Sequence, residues 1–321
     1  MLNTTIPIPW SYCDGKKGIF MMHSRAVSIF GAGAWGSALA HVLQSNDISV
    51  RLWNRTQKAG TIASMVSAAP DGCELIIAIS VQHTISVCQA MVKEHIRPRI
   101  CWIASKGLDS ATGNVLSLSI EKLFPNCTIG VLSGPNIANE ITQGLPCGIT
   151  LACKDAHVLS KGRDLFKKTQ IITDTCDDLI GVQWWSALKN IMAIGYGLLQ
   201  QSTLGHNMSA TFLTMAAKEI NAIVAAKGGK AATALSFSGI GDLVLTSHCP
   251  ASRNRSYGQS FPQTPTHLVE GLATLQALRQ HTFQCADWNL DTPVIQTIAR
   301  VLDGTLCIKK FPNTLIAHAT A

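Results

Sequence analysis

An α/β fold is predicted for this 321-residue chain, with a doubly wound, mainly parallel Rossmann-like sheet in its N-terminal part and an all-α C-terminal part. Three observations predict it. The glycine-rich turn Gly31-Ala-Gly33-Ala-Trp35-Gly36 follows directly on a short apolar run and opens a helical pattern. Short apolar runs then alternate with helical stretches as far as about residue 152. Beyond about Gly181 the strand signals fade, and long stretches of mixed apolar spacing take over. The expected division places one domain over residues 25–180 and a helical one over residues 181–321.

Taken in order, residues 26–30 (AVSIF) read as a buried strand, and the stretch from Ala34 to about Gln44 as a helix. Residues 49–53 (SVRLW) and 74–79 (ELIIAI) give the second and third strands, residues 83–92 a helix and 100–104 (ICWIA) a fourth strand. A helix is expected over 112–123, stopped by Pro125-Asn126, with strands at 128–132 and 148–152. Short apolar strands separated by helices are βαβ units, which bury a parallel sheet between two helical layers. Further helices are expected at 184–199, 209–227, 268–280 and 293–302, with Gly228-Gly229 ending one and a polar loop at 254–265. The first 24 residues contain Pro7, Pro9, Gly15 and Gly18 and lack the basic start and long apolar stretch of a secretory signal. They are set apart as an extension, disordered or the product of a start site placed too early, since Met21 and Met22 stand just before the first strand.

Composition narrows the function classes. With 47% hydrophobic and only 14% charged residues, the chain has material for a large core and is not predominantly disordered. No stretch approaches the length of a membrane span, and no period recurs. The net charge of +7 is spread along the chain without a basic run, so nucleic acid is not an expected partner; a diffuse positive field suits a small anion. The 11 cysteines form no Cys-x-x-Cys pair and mostly lie in apolar runs. They read as small buried hydrophobes in a reducing cytoplasm, with no disulfide framework and no metal site.

The glycine turn is G-x-G-x-x-G in its required setting: strand, turn, helix and second strand follow within about thirty residues. Gly31 permits the tight turn, Gly33 a close approach of a pyrophosphate, and Gly36 close helix–strand packing, with the helix N-terminus facing the negative charge. The second strand ends in Trp53-Asn54-Arg55 rather than in the acid that holds a ribose 2′-hydroxyl. A 2′-phosphate is therefore not repelled, and Arg55 can pair with it, so NADP(H), NAD(H) or both are the expected cofactors.

Hydride reduction of a carbonyl leaves an oxyanion that needs a positioned acid, and an anionic substrate needs cations nearby. Four segments offer these groups. Ser105-Lys106-Gly107 follows the fourth strand, and Ser133-Gly134-Pro135-Asn136-Ile137-Ala138 follows the next. Lys189-Asn190 lies in an apolar helix (SALKNIMAIGYG), where a lysine is costly unless paired. Gly239-Ile-Gly241-Asp242 precedes Ser252-Arg253-Asn254-Arg255. Bland readings exist for each: Lys189 reaching water along its stem, Asp242 capping a helix, and the arginines as ordinary loop charges.

The stretches GAGAWG, LWNR, SKGL, SGPNIANE, ALKNIMAIGYG, GIGDLVLT, SRNRSYG and LVEG, in this order between about residues 26 and 303, resemble the soluble bacterial NAD(P)-dependent glycerol-3-phosphate dehydrogenases. The resemblance implies interconversion of dihydroxyacetone phosphate and sn-glycerol 3-phosphate by hydride transfer, feeding glycerophospholipid synthesis in the cytoplasm. It implies Lys189 as the proton-transferring lysine, Asp242 as the carboxylate beside it, and Lys106 as a contact to both substrate and cofactor. Gly134, Asn136, Ser252, Arg253 and Asn254 match substrate contacts. Gly31, Gly33, Trp35, Gly36, Arg55, Ala138, Arg253, Leu268 and Glu270 match the cofactor side. A homodimer is expected by family analogy alone.

The sequence also departs from that pattern. The segment between Lys58 and Asp71, beside the adenosine end, is shorter than is usual in the family. Ser186 stands where a glycine is usual, Gln200 and Gln201 replace an acidic residue and a glycine, and Met215 replaces an arginine. Asn139 stands at a position often basic, and Ile137 at one often aromatic. Two other readings therefore stay open: a reductase of the same two-domain superfamily acting on a different substrate, or a degenerate dinucleotide-binding protein without turnover. A substrate panel separates the first, and cofactor binding without catalysis would mark the second.

Overall fold

The computed structural model describes residues 25–202, 204–281 and 290–320; the N-terminal extension set apart above lies outside them. Six βα units open the fold. They are β1 (Ala26–Phe30) and α1 (Ala34–Ser45), β2 (Ser49–Trp53) and α2 (Met65–Ala68), then β3 (Glu74–Ile77) and α3 (Val81–Lys93). There follow β4 (Ile100–Ile103) and α4 (Leu116–Leu123), β5 (Thr128–Ser133) and α5 (Ala138–Thr142), β6 (Cys147–Cys153) and α6 (Ala156–Asp164), with β7 (Ile171–Cys176) closing the series. The strands form one sheet in the order β2-β1-β3-β4-β5-β6-β7. Every pairing is parallel except β5 with β6, where Val131 faces Ala152 in an antiparallel ladder. The strands β3 and β4 are buried at every position, as a sheet covered on both faces requires.

After β7 the chain is helical: α7 (Leu179–Leu199), α8 (Gly205–Ala226), α9 (Asp242–His248), α10 (Arg253–Ser260), α11 (Glu270–His281), α12 (Pro293–Leu302) and α13 (Phe311–Thr320). Asp178 starts α7 by accepting the Gly181 N–H at 2.8 Å. All of α7 except Ile180 is buried, because it is apolar on every side and serves as the axis of the helical half. Its first turn belongs to the sheet's core, through Leu179 and Val182, while Trp184 and Trp185 belong to the helical core. No helix of the described residues is long and apolar enough to cross a membrane.

The structure corrects several sequence expectations. The stretch expected as a polar loop at 254–265 contains α10; only Asn254 and Gly258 of that helix are buried, so it carries no apolar period to read. Strand β7 was not foreseen, because IITDTC lies at the sheet edge with most positions partly exposed. The short helices α2, α5, α6 and α9 and the terminal α13 were likewise not foreseen, and α4 begins at Leu116 rather than near residue 112.

Candidate active site

Beside β1 lie β2 and β3, whose connections leave the sheet on opposite sides, and the crevice between them opens at the carboxyl ends of the strands. There the turn after β1 meets residues 78–81 after β3 and residues 104–106 after β4, and α9 and α10 close over them. The cavity so formed holds about 600 Å³.

Its nucleotide end is built by the glycines. Gly31 has φ +111°, and a Cβ there would lie 2.3 Å from the Ala78 carbonyl oxygen. A Cβ on Gly36 would lie 1.8 Å from the Gly31 carbonyl oxygen, so α1 can pack against the turn only with glycine. Gly33 differs: a Cβ there meets nothing within 4 Å. It stands at the N-cap of α1 with no side chain capping the first turn. Open space before uncapped N–H groups suits a pyrophosphate. Beside it the Trp35 indole Nε1 is buried without a hydrogen-bond partner. This cradle and this orphaned donor fit a dinucleotide. Ala138 and Leu268 line the same cavity, whereas Arg55 lies in a smaller neighbouring one at the end of β2.

At the other end, two lysines from different halves converge on one carboxylate. Lys189 Nζ donates to Asp242 Oδ1 at 2.6 Å and to Thr246 Oγ1 at 2.7 Å. Lys106 Nζ donates to Asp242 Oδ2 at 2.8 Å and to the Gly134 carbonyl at 3.0 Å. Each ammonium thus has one proton left for a ligand in the cavity that both line. Lys189 does not reach water along its stem, being 4% exposed. Asp242 is not spent as a cap, since both of its oxygens serve the lysines. Burial pulls the Lys189 amine down to about 8; Asp242 resists that shift and Lys106 adds to it. Burial alone would raise the Asp242 carboxyl, but the charges of Lys106 and Lys189 outweigh it and hold it below its ordinary value.

Gly134 adopts φ +155° with the Gly148 carbonyl 2.5 Å from where a Cβ would be, so the turn that presents its own carbonyl to Lys106 depends on glycine. Asn136 is fixed by donating to the Gly148 carbonyl at 2.8 Å, which leaves its buried Oδ1 without a partner at the cavity wall. Ser252 caps α10 by accepting the Arg255 N–H, and with Arg253 and Asn254 it faces the cavity. Glu270 also lines it, 3.7 Å from the Arg253 guanidinium. His206, near a family-like stretch, is exposed at the start of α8 and does not line the cavity.

Sequence reasoning gave no role to two members of this arrangement. Thr246 lies one helical turn beyond Asp242 and shares Lys189 with it, a relation the i, i+4 spacing in GDLVLT carries. Asn190 accepts from Asn254 Nδ2 at 2.9 Å and donates to Glu270 at 3.2 Å, joining α7, α10 and α11. Only the unusual polarity of the Lys189-Asn190 pair inside an apolar helix announced it.

Known proteins resemble the whole of this architecture. Residues 178–313 match the family described as NAD-dependent glycerol-3-phosphate dehydrogenase C-terminus, and residues 26–68 and 61–159 match its N-terminal counterpart. A glycerol-3-phosphate dehydrogenase [NAD(P)+] of Chelativorans sp. (strain BNC1) is 30% identical over 93% of this chain and 98% of its own. One of Synechococcus elongatus is 32% identical over 94% and 97%. The crystal structure of glycerol-3-phosphate dehydrogenase from Coxiella burnetii shares the fold, with a TM-score of 0.82 at 23% identity, over 91% of this chain and 99% of that one. Glycine turn, paired lysines and capped arginine helix thus lie within one matched span, and the chain belongs to the NAD-dependent glycerol-3-phosphate dehydrogenase family.

Proposed function

We propose that this protein interconverts dihydroxyacetone phosphate and sn-glycerol 3-phosphate with NAD(P)H. The observation that carries the reading is the pair of ammonium groups, one from each half of the chain, held on the two oxygens of a buried Asp242 at the mouth of a dinucleotide crevice. In this reading residues 25–180 hold the dinucleotide and residues 181–321 complete the substrate site.

The bound dinucleotide supplies the hydride. The protein's own part is to hold the ketone and deliver a proton. Lys189 offers its uncommitted N–H to the carbonyl oxygen and transfers that proton as the alcohol forms; in the reverse direction the neutral amine takes it back. A value near 8 suits both directions near neutral pH. Lys106, more open to solvent than Lys189, points its own amine at the same oxygen and stabilises the developing negative charge. Asp242 orients both amines and offsets their repulsion. Arg253, with its planar fork half exposed at the start of α10, suits a phosphate dianion. Asn254 donates to Asn190 and accepts the Gly271 N–H at 2.9 Å, which fixes that helix start.

The intact lysine–aspartate arrangement favours turnover over a binding protein without catalysis. A cytoplasmic setting that feeds glycerophospholipid synthesis, and a homodimer, extend the proposal; the free state of every described cysteine supports the first and family analogy the second. The test is NADPH or NADH oxidation with dihydroxyacetone phosphate. Wild type should turn over and Lys189→Ala should lose at least a hundredfold in kcat, on the order of what general acids contribute. An unchanged rate in the variant would refute the proton-transfer role.

A further inference from the structure

Next to the glycine turn a second cavity of about 230 Å³ opens at the end of β2. Arg55, Lys58 and His83 contribute to its wall, and among the described residues no carboxylate does. Asn54 takes the place where an acid would hold the ribose hydroxyls. Its Oδ1 accepts the Ala32 N–H at 3.0 Å and its Nδ2 donates to the Thr56 carbonyl at 2.6 Å, so the side chain is committed to the backbone.

Lys58 stands at the start of the shortened segment. Thr61 pins it there: its hydroxyl accepts the Lys58 N–H at 3.0 Å and donates to the Lys58 carbonyl at 2.7 Å. Ile62 then returns beside Trp53, the last residue of β2. This turn holds the lysine at the wall of the cavity. Lys58 Nζ donates to the Ala32 carbonyl at 3.0 Å, within the glycine turn itself, which leaves two of its protons unassigned.

We propose that Lys58, acting with Arg55, selects the cofactor by holding the 2′-phosphate of the adenosine ribose, so that NADPH is bound in preference to NADH. The inference rests on the dinucleotide reading of the crevice. A neutral amide at Asn54, already accepting the Ala32 N–H, holds a ribose hydroxyl less firmly than a carboxylate would, whereas a phosphate would meet two cations.

The test is direct binding, read by quenching of tryptophan fluorescence in titrations of the full chain with NADPH and with NADH. Lys58→Ala should weaken NADPH on the order of tenfold, as the loss of a charged hydrogen bond does, and NADH less than about twofold. Lys58→Arg should keep most of the NADPH affinity. Equal losses for both cofactors would overturn the proposal, assigning Lys58 to fastening the glycine turn alone; no change for either would overturn it as well. If wild type bound neither cofactor, the dinucleotide reading would fall, and this inference with it.

Discussion

At the scale of single residues, the chemistry turns on the difference between two lysines that share one carboxylate. Lys189 is nearly sealed from solvent and titrates near 8, so ketone reduction, which needs its ammonium form, should hold level below that pH and fall above it. Alcohol oxidation, which needs the amine, should rise through the same range. Asp242→Asn removes the charge that resists the downward shift, so the inflection in both pH–rate profiles should move to lower pH. An inflection that stays in place would take the titrating role away from Lys189. Stability responds to the same carboxylate. Asp242→Ala leaves two cations facing each other in a buried site and should cost roughly 3–5 kcal/mol in urea unfolding, as unpaired buried charges do. Of this arrangement the sequence disclosed Lys106, Lys189 and Asp242 by their motifs. It did not disclose Thr246, because one threonine in a helix is unremarkable until its partner is known, and it marked Asn190 only by its polarity within an apolar helix, without a role.

At the scale of elements, two pairs of glycines do different work, and the difference is testable. Gly36→Ala would drive a methyl into the Gly31 carbonyl and force α1 away from the turn, so it should lower the melting temperature as well as cofactor affinity. Gly33→Ala meets nothing in the free protein and should leave the melting temperature almost unchanged while weakening NADPH. Equal effects on folding would mean that the space before α1 is not kept for a ligand. In the helical half, a Cβ on Gly258 would come 2.0 Å from the Ile194 carbonyl, and one on Gly197 2.1 Å from the Arg255 carbonyl. The backbones of α7 and α10 touch there, which is how a polar helix without an apolar face stays docked and holds Arg253 in place. Gln201 secures the far end of that helix, donating to the Gly258 carbonyl at 2.8 Å and the Phe261 carbonyl at 3.0 Å, so this departure from the family pattern has a structural use. Gly258→Ala should raise KM for the phosphorylated substrate more than KM for the dinucleotide. The β1–α1–β2 unit was legible because its apolar strands and glycine spacing are local signals. The α7–α10 crossing was not, because close backbone contact leaves only scattered glycines in the sequence.

At the scale of the whole molecule, the two halves share more than a crevice. Leu179 and Val182 of α7 lie in the core beneath the sheet, while Leu108 and Val115, from the connection after β4, lie in the helical core. Gln183 of α7 accepts the Ser117 N–H at 2.9 Å and donates to its hydroxyl at 2.8 Å, and Ser186 meets Ser133 at the end of β5 at 2.5 Å. The serine that replaces the usual glycine at position 186 thus makes a buried contact between helix and sheet. Cores that interpenetrate in this way should melt together rather than in sequence. Trp102 reports from the sheet, and Trp184 and Trp185 from α7, so tryptophan fluorescence and far-UV circular dichroism sample both halves. The two signals should follow one transition. NADPH at about a hundred times its dissociation constant should raise the stability of that single transition by about 2.7 kcal/mol. If only one of two separate transitions moved with NADPH, the halves would be independent folding units, and the lysine–aspartate bridge between them would be a contact made after folding rather than part of a common core.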